Sequence, residues 1–263
     1  MQLPEHSSKA QLLPRIKVQK SLRFENSSLA RERRHKNPNR VTMETLAQKR
    51  TRVARIIEKL ASVYPDARLE LEFSNPLELL IALILAAQAR DTLVNSVTRE
   101  LFARYRTAQD WASQPQEKLE RELSQINFYR KKAQAIREVC QALVERFQGE
   151  VPNSLEALLT LPGVGRKTAN ILLGNAFGQP TIGVDTHVAR LSQRLGLTRE
   201  TDPDKIEQDL LQLVPEADRV RFCHLLQFHG RRVCLAKKPR CPDCVIESLC
   251  PYPHKTRPGP RGT

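Results

Sequence analysis

Apolar residues recur with a helical period along most of this chain. Over residues 43–64 they mostly follow the i, i+3, i+4, i+7 spacing of one helix face, and a second stripe of this kind runs over residues 130–147. Residues 77–87 are apolar almost all round, which predicts a helix buried on most sides. Alternation typical of a strand is missing, apart from a short extended piece at Thr181 and Ile182. The pattern therefore predicts an all-α protein of about ten helices.

The predicted helices begin at residue types that commonly cap helix N-termini. Asn75 and Asp202 each stand directly before a proline, which favours the first helical position. Asp91, Ser154 and Asp185 open further apolar-periodic segments, so we expect each of them to act as an N-cap. Capping of a helix is therefore one possible role of Asp185, independent of any catalytic role.

Charge changes the picture, because the chain carries 43 Lys and Arg against 29 Asp and Glu, a net charge of +14. A surplus of this size suggests a polyanionic partner, first of all nucleic acid. The longest apolar run is about half the length that spans a bilayer, which argues against an integral membrane protein. We expect a monomer that is cytoplasmic and nucleoid-associated in a bacterium, or organellar or nuclear in a eukaryote.

The basic charge is concentrated at the N-terminus, where the first 50 residues hold 12 Lys and Arg against 4 Asp and Glu. Residues 1–42 lack sustained periodicity, and we interpret them as a basic, disordered arm. Three roles remain open for this arm: DNA contact, a solvated tail without a task, and organellar targeting. Residues 253–263 form a second, shorter basic tail.

Residues 161–170 read LPGVGRKTAN, and the glycines at 163 and 165 permit a tight turn between two helices. The second helix then starts with free N–H groups and a positive dipole end, which bind a phosphate without reading a base. The neighbouring Arg166 and Lys167 add positive charge. Taken alone, the two glycines favour an ordinary interhelix turn, and the spacing of a Walker A loop is absent from the sequence.

Four cysteines lie within 17 residues near the C-terminus, at Cys234, Cys241, Cys244 and Cys250. Thiolates this close in sequence can converge on one metal centre. Zinc is the generic choice, but zinc ribbons usually pair two Cys-x2-Cys knuckles and only one occurs here. The uneven spacing suits an iron–sulfur cubane, and two disulfides fit the composition poorly. We expect the two remaining cysteines, Cys140 and Cys223, to be buried and inert.

Three basic residues, Lys237, Lys238 and Arg240, lie inside this cysteine loop. A loop pinned at both ends would hold them as a rigid surface suited to a phosphate backbone. A solvated run of charge is the alternative interpretation.

Together these segments resemble the endonuclease III family, the iron–sulfur DNA glycosylases of base-excision repair. The resemblance covers nearly all of residues 45–252. The shared motifs are LAAQARD at 85–91, FYRKKA at 128–133, LPGVGRKTAN at 161–170, VDTH at 184–187, HGR at 229–231 and the four-cysteine loop. Each motif alone is of moderate specificity, whereas the combination is very specific.

The resemblance implies a two-lobed, helix-hairpin-helix DNA glycosylase fold that binds double-stranded DNA across the cleft between the lobes. One lobe is a six-helix barrel, here about residues 69–180. The other lobe joins residues 43–68 to residues 181–252 and carries a [4Fe-4S] cluster on the four cysteines. The turn at Gly163, Val164 and Gly165 would contact DNA together with Arg166.

The resemblance also implies that Lys167 is the nucleophile and Asp185 the essential carboxylate. A lysine amine can attack C1′ of deoxyribose, expel a damaged base and form a Schiff base, after which β-elimination cleaves the strand. A carboxylate can accept the proton of the amine or stabilise positive charge that builds on the sugar. His187 is interpreted as a structural hydrogen-bonding residue. The predicted function is a bifunctional DNA glycosylase and abasic-site lyase acting on oxidised pyrimidines in duplex DNA.

Such an enzyme must extrude the damaged nucleotide and fill the gap in the stack. By the resemblance, Gln88 and an apolar residue of the loop that holds Phe128 act as wedges, although a core position is the alternative for Phe128. Three residues at this rim depart from the family pattern, namely Ala86, Arg90 and Asn127. Arg90 would add a cation near the lesion and bind DNA.

Two other functions remain open. One is a mismatch-specific glycosylase for thymine or uracil, and the other is a weakly active or non-catalytic DNA-binding homologue. An adenine-specific mismatch glycosylase is disfavoured, because that family carries Ser or Tyr at the position of Lys167.

Overall fold

The computed structural model describes residues 44–257, which form eleven α-helices and three short 3₁₀ turns without a β-strand. The prediction of an all-α protein is confirmed, and within this range no helix is both long and apolar enough to cross a membrane. The interpretations of residues 1–42 and of the last residues of the basic tail lie outside the described residues. The helices are α1 (Leu46–Val63), α2 (Pro76–Ala86), α3 (Asp91–Arg104), α4 (Ala108–Ala112), α5 (Gln116–Glu122), α6 (Tyr129–Phe147), α7 (Leu155–Leu159), α8 (Arg166–Ala176), α9 (Thr186–Arg194), α10 (Pro203–Leu213) and α11 (Arg219–Arg232).

Most helix N-termini are capped as the sequence predicts. Four predicted caps accept backbone hydrogen bonds from the first helical turn, namely Asn75, Ser154, Asp185 and Asp202. The expectation for Asp91 is wrong, because α3 starts at Asp91 itself and its N-cap is Arg90. The Asp91 carboxylate accepts a hydrogen bond from Arg231 Nη2 over 3.0 Å instead. Asp91 thus forms an ion pair with a residue distant in sequence and does not cap α3.

Two helices, α4 and α5, were not predicted from the pattern. They have 5 and 7 residues, too few to show a helical repeat. A capping box between Thr107 and Asp110 starts α4, and its Trp111 is fully buried. The indole Nε1 donates to the carbonyl of Tyr105 over 3.1 Å, which ties α4 to the end of α3.

Buried apolar side chains form two separate cores. The first core is built from α2 to α8, over residues 71–173. The second core is built from α1, α9, α10 and α11, with residues 182–184 and the C-terminal loop. Helix α2 crosses the first core with five fully buried side chains, Leu79, Leu80, Ile81, Ala82 and Leu85. Its burial on most sides is thus confirmed, and each leucine or isoleucine contributes about 1.5–3 kcal/mol to folding.

The two cysteines outside the C-terminal loop are buried, as predicted. Cys140 lies in the first core and Cys223 in the second. Burial raises the pKa of each thiol to about 12. Both therefore stay uncharged at neutral pH and act as apolar packing residues.

Candidate active site

Helices α7 and α8 form a hairpin around residues 160–165. Gly163 has φ +74°, a conformation that residues with a side chain rarely adopt. Gly165 is the N-cap of α8, so among the described residues no side chain caps this helix. A Cβ at either glycine would meet no described atom within 4 Å, whereas Val164 between them is buried. The hairpin therefore presents an open, positively polarised helix end with N–H groups available for an anion.

Lys167 and Asp185 lie at the N-termini of consecutive helices. Lys167 is exposed in the first turn of α8, and Asp185 is the N-cap of α9. The positive charge of Lys167 adds a small part to the lowering of the Asp185 pKa, which indicates that the two groups lie near each other. The two residues with predicted chemistry thus share one site.

The environment of Asp185 favours its ionised form. Burial by itself raises the pKa of Asp185, but hydrogen bonds from His187 and from the backbone of Val188, with nearby positive charge, hold it below the usual 3.8. The Oδ1 atom accepts from the N–H of His187 at 2.9 Å and of Val188 at 2.7 Å. The Oδ2 atom lies 3.4 Å from Nδ1 of His187. Asp185 is therefore an anion at neutral pH, with His187 as its structural partner.

Packing against α8 places the segment that carries Asp185. A Cβ at Gly183 would lie 2.5 Å from Cγ1 of Ile171, so only glycine permits this approach. The Thr181 hydroxyl donates to the carbonyl of Asn170 over 2.6 Å. Contacts with α8 on both sides of Ile182 therefore set the position of Asp185 relative to Lys167.

A second carboxylate, Asp91, lies near Asp185. Burial raises the pKa of Asp91, and the negative charge of Asp185 raises it further. Arg231, at the end of α11, bridges Asp91 and Glu70. These residues line an open cavity of about 410 Å³ together with Arg90, which is exposed at its edge. Sequence reasoning missed this group, because Glu70 stands in no motif and Asp91 was interpreted only as a cap.

Arg166 does not present a free guanidinium to a phosphate. Its Nε and Nη2 atoms each donate to Glu207 over 2.8 Å, and Asn170 Nδ2 donates to the same carboxylate over 2.7 Å. Glu207 is 5% exposed, so this pair joins α8 to α10 from inside. Arg166 is therefore engaged by a buried carboxylate that requires its partner, and its contact with DNA stays a prediction.

The two predicted wedge residues lie on neighbouring loops. Gln88 follows α2 with φ 55°, and Phe128 precedes α6 with φ 60°. Phe128 is 60% exposed, so its alternative as a core residue is wrong. The Asn127 side chain donates to the carbonyl of Gln88 over 3.3 Å and links the loops. Both candidates for insertion into DNA are thus presented side by side to solvent.

The four C-terminal cysteines line one cavity. Burial, with smaller contributions from the other three cysteines, raises the pKa of Cys244 to about 11. Among residues 44–257, no group of three or more His, Cys, Asp or Glu is placed to hold a single metal ion. Four cysteine thiols around one cavity are a donor set that fits an iron–sulfur cluster.

Hydrogen bonds hold two of these cysteines from outside the loop. Arg194 Nη1 donates to Cys234 Sγ over 3.2 Å and to the carbonyl of Leu235 over 2.7 Å. His229 Nε2 lies 3.3 Å from Cys244 Sγ. Helices α9 and α11 thereby anchor the cysteine loop to the second core.

The basic residues of the cysteine loop are all exposed. Lys238 has a left-handed backbone with φ 51°, and Arg240 donates to Asp243 over 2.8 Å. Lys237 and Lys238 therefore carry the positive charge that this loop offers to a polyanion, and Arg240 is partly neutralised.

Comparison with known proteins agrees with this arrangement. A model of the HhH-GPD superfamily of base excision DNA repair proteins matches residues 81–216. Endonuclease III of Synechocystis sp. is 46% identical over 210 residues, which cover 80% of this chain and 96% of the relative.

Solved structures give the same result. The structure of a trapped endonuclease III–DNA covalent intermediate is 42% identical, with a TM-score of 0.73, over 77% of this chain and 96% of that one. A thermostable thymine-DNA glycosylase, 22% identical with a TM-score of 0.70 over 77% of this chain and 96% of that one, shares the fold. The chain therefore belongs to the endonuclease III family of helix-hairpin-helix base-excision repair enzymes, which are DNA glycosylases and abasic-site lyases.

Proposed function

We propose that this enzyme removes oxidised pyrimidines from duplex DNA and then cleaves the strand, with Lys167 as the nucleophile and Asp185 as its charged partner. The observation that carries the proposal is the placement of Lys167 in the first turn of α8 and of Asp185 at the N-cap of α9, near enough for the charge of Lys167 to act on the carboxylate. The family relatives that are named endonuclease III support a repair reaction of this class.

The reaction requires a primary amine. The uncharged amine of Lys167 attacks C1′, the bond from C1′ to the base nitrogen breaks, and the base leaves with the electron pair and gains a proton. The bond from C1′ to O4′ then opens, O4′ takes a proton, and a protonated imine joins Lys167 to the sugar. Loss of a proton from C2′ expels the 3′ phosphate oxygen, which cleaves the strand. A serine or a water molecule could displace the base but could not form this imine.

Asp185 acts as a permanent negative charge in this reaction. Because its pKa is held below the usual value, Asp185 stays ionised at neutral pH. An anion fixed beside C1′ stabilises the positive charge that develops on the sugar as the base leaves. Asp91, whose pKa is raised by burial and by the charge of Asp185, lines the neighbouring cavity.

DNA binding is assigned to three surfaces. The N–H groups at Gly163, Val164 and Gly165 bind a phosphate, while Lys237 and Lys238 bind the backbone through the cysteine loop. Gln88 and Phe128 enter the base stack, with Arg90 beside the extruded nucleotide. The two hydrophobic cores are the lobes between which the duplex lies, about residues 69–180 and residues 43–68 with 181–252.

The cysteine loop holds a [4Fe-4S] cluster through Cys234, Cys241, Cys244 and Cys250. When bound, the cluster supplies a rigid cross-link for a segment that has only two 3₁₀ turns of its own. Neither turn is long enough to hold Lys237 and Lys238 in place. A cluster bound to the four cysteines would fix the loop that carries these lysines and so position them for DNA.

Borohydride trapping tests the nucleophile. Reduction of the imine should join the wild-type chain covalently to a duplex that contains one thymine glycol, and Lys167→Gln should abolish the adduct while DNA binding persists. Lys59→Gln is the matched control, because Lys59 is an exposed lysine of α1 and outside the hairpin. A Lys167→Gln variant that still forms the adduct would overturn the assignment.

A lesion panel tests the substrate. Excision should be fast for oxidised pyrimidines and slow for thymine or uracil in mismatches with guanine. The reverse order would make the enzyme a mismatch glycosylase, and trapping on no duplex would make it a DNA-binding homologue.

Metal analysis tests the cofactor. We expect about four iron atoms and four acid-labile sulfides per chain and a brown colour, as for a [4Fe-4S] protein. A colourless protein with one zinc per chain would contradict the cluster.

A further inference from the structure

Two loops of the first core each carry a strained and exposed residue. Gln88 has φ 55° and Phe128 has φ 60°. Left-handed backbone is uncommon for residues with a side chain and disfavoured for a bulky aromatic one, so the surrounding structure must impose it. Phe128 is also the most exposed of the large apolar side chains in the described part of the chain. Strain at exposed neighbouring positions points to a role in binding.

One residue holds both loops. Lys132 Nζ donates to the carbonyls of Leu85 at 2.8 Å and Ala87 at 2.6 Å, which precede Gln88. Lys132 itself lies in the first turn of α6, where its backbone N–H makes the helical hydrogen bond to the carbonyl of Phe128 over 3.1 Å. Lys132 thereby ties the end of α2 to the start of α6.

A second contact joins the loops directly. Asn127 Nδ2 donates to the carbonyl of Gln88 over 3.3 Å. The side chain of Asn127 therefore joins the two loops in addition to that of Lys132. Glycine, which the family pattern favours at position 127, has no side chain and could not form this contact.

The position of Lys132 is unusual for a lysine, because the residue is only 6% exposed. Both Nζ acceptors are backbone carbonyls at the C-terminal end of α2, where helix carbonyls lack intrahelical partners and the dipole is negative. Helix α2 has no basic residue in its own last turn. Burial lowers the pKa of Lys132, so the fold keeps the amine where its charge is disfavoured. A side chain without N–H donors could not replace it.

We propose that Lys132 and Asn127 are positioning residues that join the Gln88 and Phe128 loops into one rigid probe for extrusion of the damaged nucleotide. The inference rests on the proposed function, in which these two loops enter the base stack. Two wedges that enter a duplex together must keep their spacing, and a joined pair loses less conformational freedom on binding than two separate loops. We call the link that Lys132 and Asn127 form between the two loops the clamp. Bond breaking at the extruded sugar does not need the clamp.

Loss of the Lys132 contacts should affect two substrates differently. Excision of thymine glycol from a duplex requires unstacking of a base, whereas a preformed abasic site has no base to unstack. Lys132→Met keeps a long apolar stem and removes the three side-chain donors. It should slow single-turnover excision about tenfold and change cleavage of the abasic duplex less than about twofold. The fluorescence rise of a 2-aminopurine placed beside the lesion should slow by the same factor as excision.

Lys131→Met is the matched control, because Lys131 is the neighbouring exposed lysine of α6. It should match the wild-type chain in all three measurements. Equal slowing of Lys132→Met on both substrates, or no slowing on either, overturns the proposal. If Lys132→Met does not fold, Asn127→Gly decides the question: slowed excision with normal abasic cleavage supports the clamp, and unchanged excision overturns it.

The wedge assignment is tested separately with Gln88→Ala and Phe128→Ala. If both variants excise at the wild-type rate, the assignment of these residues in the proposed function fails. If they are slow while Lys132→Met and Asn127→Gly are not, only the clamp fails.

Discussion

Asp185 receives two backbone hydrogen bonds on Oδ1 and turns Oδ2 toward Nδ1 of His187, at 3.4 Å. One oxygen is thus used to start α9, and the other remains close to the imidazole ring of His187. The interpretation of Asp185 as an N-cap is therefore confirmed, and its chemical role, which would use the other oxygen, stays a proposal.

The two roles of Asp185 can be separated by substitution. Asp185→Asn retains a good N-cap and loses the charge, so at neutral pH the melting temperature should fall only by the contribution of the ionised carboxylate, while base excision slows about 10²–10³-fold. Asp185→Ala loses both, and the free energy of unfolding should fall by a further 0.5–2 kcal/mol or so, about the usual value of a cap. Thermal melts and single-turnover rates check this. Normal excision by Asp185→Asn would show that its charge is not used.

The lowered pKa of Asp185 predicts a dependence of stability on pH. A carboxyl group with a depressed pKa in the folded state stabilises the fold above its unfolded pKa, and this contribution is lost as pH falls through the folded value. The free energy of unfolding of the wild-type chain should therefore approach that of Asp185→Asn below the ordinary value of 3.8. Urea titrations from neutral pH downward measure the difference. A difference that does not change with pH would contradict the ionised state.

Arg231 is the counter-charge for Asp91, which lies near Asp185, and for Glu70. Arg231→Gln leaves Asp91 and Glu70 without this partner, so added negative charge should weaken DNA binding and slow excision. Replacing Asp91 by Asn in the same chain should recover part of the loss, with a coupling of about 1 kcal/mol. A double-mutant cycle on DNA affinity measures it. Strictly additive effects would mean that the pair does not matter for binding.

Gly183 permits the close approach of the Asp185 segment to α8. In Gly183→Ala the new Cβ would lie 2.5 Å from Ile171 Cγ1, so either the segment or α8 must shift. We expect a loss of about 1–3 kcal/mol of unfolding free energy and a larger loss of excision, because Lys167 and Asp185 move apart. Ile171→Ala in the same chain should restore part of both. Wild-type excision by Gly183→Ala would show that this contact does not set the site.

We expect the Arg166 side chain to stabilise the folded state and to contribute little to DNA affinity. Arg166→Gln leaves the buried Glu207 with one side-chain partner, Asn170, and should lower the free energy of unfolding by about 1–3 kcal/mol. The DNA affinity of the folded variant should stay near that of the wild-type chain, with the same salt dependence. A smaller salt slope would instead show that Arg166 contacts a phosphate.

Local features of the fold were readable from the sequence because they depend on residues a few positions apart. Asn75 and Asp202 cap their helices with side-chain oxygens that reach only the next turn. The buried helix α2 follows from a continuous apolar run, and the left-handed turn at Gly163 from the residue that permits it. Helices α4 and α5 were missed, since segments of 5 and 7 residues contain too little periodicity.

The sequence by itself determined the helical class, the hairpin with Lys167, the cap at Asp185 and the four-cysteine loop, since each depends on residue type and short spacing. Only the tertiary structure decided which charges meet. Asp91 pairs with Arg231 and does not cap α3, Arg166 pairs with the buried Glu207, and the Lys132 amine binds carbonyls at the end of α2. These partners lie far apart along the chain, and packing of the two cores, which no local pattern encodes, sets the distances between them.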